Sequence, residues 1–236
     1  MSFIVPAHDE EQLLGRTLSA ITDTVRRLED SAEVIVVDDA SSDDTAGIAR
    51  AHHAHVVSVR FRHIAAARNS GARVACGDML VFVDADTVVN VDVVRAAIAA
   101  MRAGAVGGGC GIRFDGRIPL YARILTAGAL PLYRMARMAA GCFLFCTRVA
   151  FDAVGGFDEA LFAAEEAVMS RALGRMGRFV ILRQYVITSG RKLRTHGPRD
   201  IFAFLLRLAL KGRKAVRRRD GLHLWYGTRR RDRDAA

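Results

Sequence analysis

Cysteine is scarce in this chain. Cys76, Cys110, Cys142 and Cys146 are all there are in 236 residues, without the density of a disulfide scaffold or the paired close spacings of a zinc site. They read as reduced, mostly buried thiols. The apolar segment Ile201 to Leu210, interrupted by Arg207, falls far short of the roughly 20 residues a membrane-spanning helix needs. The opening Ser2-Phe3-Ile4-Val5-Pro6 has no basic start, longer apolar core or cleavage site of a signal peptide, so it reads as a core strand of a cytoplasmic protein. The glycines between Gly104 and Gly111 lack the GxGxxG spacing of a dinucleotide loop. Internal repeats, low-complexity linkers and nucleic-acid-binding motifs are also missing.

What is present is a globular composition. Hydrophobic residues make up 51% of the chain, enough for one large domain or a domain with an appendage. The net charge of +10 is concentrated at one end: Arg191 to Ala236 holds 15 Lys or Arg against 4 Asp or Glu. Before it the chain is nearly neutral, with 20 basic and 21 acidic residues. Such asymmetry points to an anionic surface, lipid headgroups or nucleic acid, as a partner of the tail. Phe202, Leu205, Leu206, Leu208 and Leu210 beside Lys211, Arg213 and Lys214 fit an interfacial helix with a basic flank, or an amphipathic helix docked on the domain. Trp225 and Tyr226 favour the headgroup zone, which inclines the reading towards an anionic membrane at the inner face. Aromatic interleaving is otherwise thin there, so no nucleic acid is expected.

Extended runs alternate with helical periodicity in the first ninety residues, the layout of an α/β domain with a mostly parallel sheet flanked by helices. Strands are expected at Phe3 to Pro6, Glu33 to Asp38, Val56 to Val59, Met79 to Asp84 and Gly141 to Cys146. Leu14, Leu18, Ile21, Val25 and Leu28 recur at helical spacing, and further helices are expected from Thr45 to His53, Ile64 to Ala75 and Val91 to Arg102. Ser41-Ser42-Asp43-Asp44 offers cap chemistry to the second of these. Gly104 to Gly111 reads as a turn or a bulged strand start. Pro119 to Arg137 is apolar with Arg123, Arg134 and Arg137 interspersed. Residues 1–190 form the expected domain, and residues 191–236 a basic loop and amphipathic tail.

Asp84-Ala85-Asp86 closes a run that is apolar on both faces, which places two carboxylates where buried strands open onto a ligand crevice. Spacing i, i+2 on extended chain points both the same way, towards a shared hard cation. Two other strands end in acidic segments, His8-Asp9-Glu10 and Asp38-Asp39. So many carboxylates on one edge raise one another's pKa unless a divalent cation or a donor-rich ligand compensates them.

Five motifs in order then resemble the family 2 glycosyltransferases. They are Ile4-Val5-Pro6-Ala7-His8-Asp9-Glu10-Glu11, Val36-Val37-Asp38-Asp39-Ala40-Ser41-Ser42-Asp43-Asp44-Thr45, Ala67-Arg68-Asn69-Ser70-Gly71-Ala72, Gly77-Asp78 with Asp84-Ala85-Asp86, and Gly155-Gly156-Phe157-Asp158-Glu159 followed by Glu165-Glu166. The resemblance covers about residues 2–190 and implies a single A-type nucleotide-sugar-binding domain. By it, Pro6, Ala7, His8 and Glu10 line the nucleotide pocket, Asp39 contacts the base, Arg68 lies near the nucleotide, and Asp84 with Ala85 faces the ribose; the residue pattern also admits Arg68 as a helix-surface or structural ion-pair partner. Asp86 becomes the principal ligand of Mn2+ or Mg2+, with Asp84 and His196 as further ligands. Alternatively to a metal-binding His196, the same region offers Ser189, Arg191, Lys192 and Arg194 to hold the diphosphate.

In the acidic pair Glu165-Glu166 the second residue takes the position of the base that deprotonates the acceptor hydroxyl, where the family usually has Asp. The implied activity is inverting, metal-dependent transfer of a sugar from a nucleoside diphosphate, UDP by default or GDP, to a lipid, glycan or small alcohol. Two other classes compete. A basic nucleic-acid-binding module would rest on the tail alone, and a nucleotidyltransferase normally has a glycine-rich phosphate loop that Ala7-His8-Asp9-Glu10 lacks.

Overall fold

A computed structural model describes residues 1–195, 197–200, 203, 216, 217, 219 and 222. Apart from Ala203, the expected tail helix from Ile201 to Leu210 lies outside these residues, as do Lys211, Arg213 and Lys214 of its basic flank, Trp225, Tyr226 and His196. The elements run β1 (Ser2–Ala7), α1 (Leu14–Leu28), β2 (Glu33–Asp39), α2 (Thr45–Ala51), β3 (His55–Val59), α3 (Ile64–Val74), β4 (Met79–Val83), β5 (Thr87–Val88), α4 (Val91–Arg102) and β6 (Ala105–Phe114). They continue with α5 (Leu120–Met135), β7 (Phe143–Thr147), α6 (Arg148–Val154), α7 (Glu165–Met176), β8 (Arg178–Thr188) and α8 (Arg191–Thr195).

One sheet of order β3-β2-β1-β4-β7-β6-β8-β5 organises the domain. Strands β3, β2, β1 and β4 are parallel neighbours, as are β6 and β8, whereas β4–β7, β7–β6 and β8–β5 pair antiparallel. The chain therefore has the α/β, mostly parallel A-type fold that the motifs implied. Alternate residues of each inner strand enter opposite cores. Phe3, Val5, Val36, Val81 and Val83 pack with Leu14, Leu18, Ile21, Val93 and Ala97 of α1 and α4. Ile4, Ile35, Val37, Leu80 and Phe82 meet Ala67 and Ala72 of α3, Phe151 of α6, and Met169 and Leu173 of α7. Both faces of β4 are thus covered, and all five of its residues are buried. Helix α3 lies close on β1, since a Cβ at Gly71 would sit 2.5 Å from Ile4 Cγ2.

The downstream half carries more than its sequence signals showed. The glycine-rich stretch is the bulged alternative: β6 is a ten-residue strand with register shifts against β8 between Ala105 and Gly107 and between Gly109 and Gly111. Its glycines admit close neighbours, because a Cβ at Gly108 would stand 2.3 Å from the Val180 carbonyl oxygen and 2.6 Å from Phe145 Cζ. Strand β8, from which no strand was expected, brings β5 into the sheet through Thr87–Thr188 and Val88–Ile187. The apolar stretch before β7 is helix α5, which carries Pro131 inside it. Helix α2 starts with Asp43 rather than a side-chain cap at Asp44: the Asp43 carboxylate accepts from both the Thr45 amide, at 3.0 Å, and its hydroxyl.

Candidate active site

Because β1, β2 and β4 run parallel, their carboxyl ends open on one edge and deliver three loops to it. The loop after β1 places His8 against β2, where its Nδ1–H donates to the Asp39 carbonyl at 2.8 Å and Nε2 lies 3.0 Å from Asp9. Glu10 is buried at the same edge. Asp39 is held tightly: one carboxylate oxygen accepts from the Phe61 and Arg62 amides and the other from the His63 amide, each at 2.7 Å. Those bonds use three of its roughly four lone-pair sites, so this carboxylate fixes the chain that leads into α3. Sequence alone gave Asp39 only a base-contacting role; its second duty is to latch residues 61–63.

Arg68 projects from α3 and is 1% exposed. Its Nη1 donates to Glu165 at 2.6 Å, and its Nη2 to Asp84 at 2.8 Å and to the Gly141 carbonyl at 2.9 Å. Its guanidinium also faces the Phe157 ring, 5.2 Å from the centroid. Two buried or half-buried carboxylates hold it firmly protonated against the cost of burial. Of the two readings of this arginine, the ion pair is present: it is the cation that joins the end of β4 to the start of α7. Its neighbour Asn69 completes the join, donating to the Phe157 carbonyl at 2.9 Å and to Glu159 at 2.8 Å while accepting from the Phe157 amide at 2.9 Å. The Arg68-Asn69 and Gly155-Gly156-Phe157 motifs, far apart in sequence, are therefore one device.

That device orients the acidic pair. Glu165 points into the Arg68 pair, and Glu166, next along the first turn of α7, points towards Gly141, where a Cβ would lie 3.5 Å from both the Glu166 carboxyl carbon and Arg68 Nη2. Burial first, and then the neighbouring Glu165 charge, push the Glu166 carboxyl up to about 8, with Arg68 opposing them. Proton transfer near neutral pH calls for a carboxylate poised in that way. The chain holds it with a further bond, since Ser170 Oγ donates to the Glu166 carbonyl at 2.7 Å and accepts from the Ala139 amide at 3.0 Å.

Glu166 also lines a cavity of about 450 Å³ between α5 and the strands β6 and β8. Tyr133 and Met138 flank it on one side and Ile112, Ile181 and Tyr185 on the other, with Arg134 and Arg183 at its margins. The Arg113 guanidinium stacks over Tyr185 at 3.7 Å. Burial, together with the Glu166 charge, raises the Tyr133 phenol above its ordinary range. None of these lining residues was anticipated apart from Glu166. The mixed apolar and arginine-bearing stretch around Tyr133 was a signal, but β8 gave none that exposed its place opposite it.

The opposite side of the crevice is closed by α8. Arg191 is buried and donates to both oxygens of Glu10 at 2.7 and 2.8 Å, and Arg194 donates to the Asp115 carbonyl at 2.7 Å and to its carboxylate at 3.1 Å. The Ser189 amide donates to the Asp86 carbonyl at 3.1 Å, and Thr188 Oγ1 lies 3.4 Å from the Asp86 carboxylate. Two of the arginines expected at a diphosphate thus lie at the crevice but grip acidic side chains of the body. Asp84 and Asp86 suit a small hard cation, which usually takes one or two carboxylates and completes its shell with substrate phosphates and water. Arg68 occupies one Asp84 oxygen. No group of three or more His, Cys, Asp or Glu that could hold a metal occurs among the described residues.

Comparison with known proteins agrees with this edge. The profile of Glycosyl transferase family 2 matches residues 2–153. Validoxylamine A glucosyltransferase of Streptomyces hygroscopicus subsp. jinggangensis (strain 5008) is 32% identical over 128 residues, covering 50% of this chain and 30% of that protein. The chain thus matches under a third of that relative's length. Among solved structures, a mannosyltransferase from Pyrobaculum calidifontis in complex with GDP-Man and Mn2+ superposes with a TM-score of 0.70 at 20% identity, over 89% of this chain and 61% of that one. Glucosyl-3-phosphoglycerate synthase from Mycobacterium tuberculosis, in complex with Mn2+, UDP and glucosyl-3-phosphoglycerate, gives 0.59 at 21% identity, over 96% and 79%.

Proposed function

From the premise that this chain belongs to Glycosyl transferase family 2, we propose that it transfers a sugar from a nucleoside diphosphate to a hydroxyl acceptor with inversion at the anomeric carbon. The observation that carries this reading is Glu166. Its carboxyl is raised to about 8 and stands between the Asp84–Arg68 pair of the donor edge and the 450 Å³ cavity. An acceptor hydroxyl in that cavity meets a base with a proton affinity matched to neutral pH.

The donor occupies the edge formed by Pro6, Ala7, His8 and Asp39, with Asp84 and Ala85 towards its ribose. Asp86, helped by Asp84, holds a divalent cation, Mn2+ or Mg2+, which when bound neutralises charge on the departing diphosphate. Arg68 fixes Asp84 in place, and Asp39 keeps the pocket wall formed by residues 61–63 in place. The similar solved structures hold GDP-Man in one case and UDP in another; a UDP-sugar is the donor we assign first. The acceptor is a hydroxyl compound that tolerates a cavity with apolar walls and arginines at its margin. The described helices include none long and apolar enough to cross a membrane.

The test is nucleotide binding followed by transfer. UDP-sugars and GDP-sugars with Mn2+ are expected to raise the thermal midpoint, and only with the metal present. Asp86→Ala is expected to lose that metal-dependent shift and transfer by at least about a hundredfold, while its unliganded midpoint stays close to that of the parent. An Asp86→Ala protein with an unchanged Mn2+-dependent shift would remove this residue as the metal ligand. The anomeric configuration of the product, read by NMR, decides between inversion and retention.

A further inference from the structure

Helix α5 is apolar on the side that should face water. Leu120 and Ile124 are each 67% exposed, Leu132 is 64% exposed and Met135 81%. Their separations of four, eight and three residues put them on one stripe about 120° wide, at 100° per residue. Scattered apolar side chains on a surface are ordinary, but four on one stripe of a sixteen-residue helix, two at each end of Gly128, mark an interaction face. The helix is held to the body by its buried Ala122, by the Tyr121 hydroxyl, which donates to the Leu193 carbonyl at 2.9 Å, and by Arg134, which donates to the Leu182 carbonyl at 3.2 Å.

Charge identifies the occupant. Between Asp115 and Asp152 the chain has no acidic residue, and its only formal charges are Arg117, Arg123, Arg134, Arg137 and Arg148. On the helix itself Arg123 and Arg134 share the flank of the stripe. A second copy of this chain would set arginines against arginines, whereas an anionic lipid surface accepts the apolar stripe below its headgroups and the Arg123 guanidinium among them. We propose that α5 is a membrane-docking helix, seating this protein on anionic bilayers beside the cavity that Thr126, Tyr133 and Arg134 of the same helix help to line. Docking of this kind needs neither donor nor base, so it stands or falls separately from the transferase activity.

Vesicle co-sedimentation of the full chain tests it, using phosphatidylcholine alone and phosphatidylcholine with phosphatidylglycerol. The parent is expected to bind the anionic vesicles at least about tenfold more tightly than the neutral ones, and less so at high salt. Ile124→Glu with Met135→Glu is expected to reduce that binding about tenfold or more with the thermal midpoint unchanged; Ile124→Ser with Met135→Ser, a milder change, is expected to reduce it in the same direction. Equal binding by parent and variants overturns the proposal in favour of the basic carboxyl-terminal segment. Failure of the parent to bind anionic vesicles, or self-association of the parent that the substitutions abolish, overturns it as well.

Discussion

Glu166→Gln is expected to lower sugar transfer by roughly a hundredfold to ten-thousandfold, the range for loss of a general base, while leaving nucleotide binding intact. The parent enzyme is expected to show kcat/KM rising with pH to a plateau above about 8, because the base acts only when ionised and its carboxyl titrates near 8. Burial sets this value first, and the charged groups that adjust it are Glu165 beside it on α7, Arg68 from α3 and Asp84 at the end of β4. Stability gives an independent check. A carboxyl whose pKa is raised in the folded state favours folding most below its unfolded value, here 4.5, and loses that contribution as pH climbs through about 8. The glutamine variant has no charge to bury. Its stability advantage over the parent should therefore widen between pH 4.5 and 8.5, and full transfer by this variant would remove Glu166 from the mechanism.

Arg68→Met carries the largest expected cost in stability. Arg68 and Glu165 are almost completely buried in their pair and Asp84 is about one-quarter exposed, with side-chain exposures of 2%, 5% and 26%. Removing the cation leaves two carboxylates facing each other without their donors. Loss of one partner from a buried pair typically costs about 3–5 kcal/mol, which for a domain of this size lowers the thermal midpoint by roughly 6–20 °C. Arg68→Lys should recover part of it, since one ammonium cannot reproduce the fork that reaches Glu165, Asp84 and Gly141 together. If Arg68→Met unfolds at the parent's temperature, the pair does not hold β4 to α7.

The first half of the site was legible because its signals are local. A strand apolar on both faces, followed at once by Asp84-Ala85-Asp86, announces both its burial and its open end. Helices α3 and α4 likewise carry their periodicity within one segment. What could not be read were relations between segments. Arg68 looked like a ligand-facing arginine because nothing near it in sequence showed that Asp84 and Glu165 would converge on its guanidinium. Asp39 showed its acidity but not the three amides that come to it from residues 61–63. Strand β8 escaped notice because Arg178, Arg183 and Gln184 interrupt its apolar alternation, and its pairing depends on glycines in β6 that make room for it. The cavity beside Glu166 was invisible for the same reason, being bounded by α5 and by that unanticipated strand.

The ion pairs of the crevice also set the order in which this protein becomes competent during synthesis. Glu10 and Arg191 are separated by 181 positions, and Arg68 and Glu165 by 97. Strands β1, β2 and β4 can pair once the first 83 residues have left the ribosome, since nothing downstream lies between them in the sheet. At that stage Glu10 and Arg68 have no distant partners, and the edge that is to hold the donor remains open to solvent. Contacts so remote in sequence are slow to close. A ribosome-bound chain arrested before Glu165 would thus contain β1, β2 and β4 and lack the Glu165–Glu166 pair, so that on the proposed function premature release yields a fragment without its base.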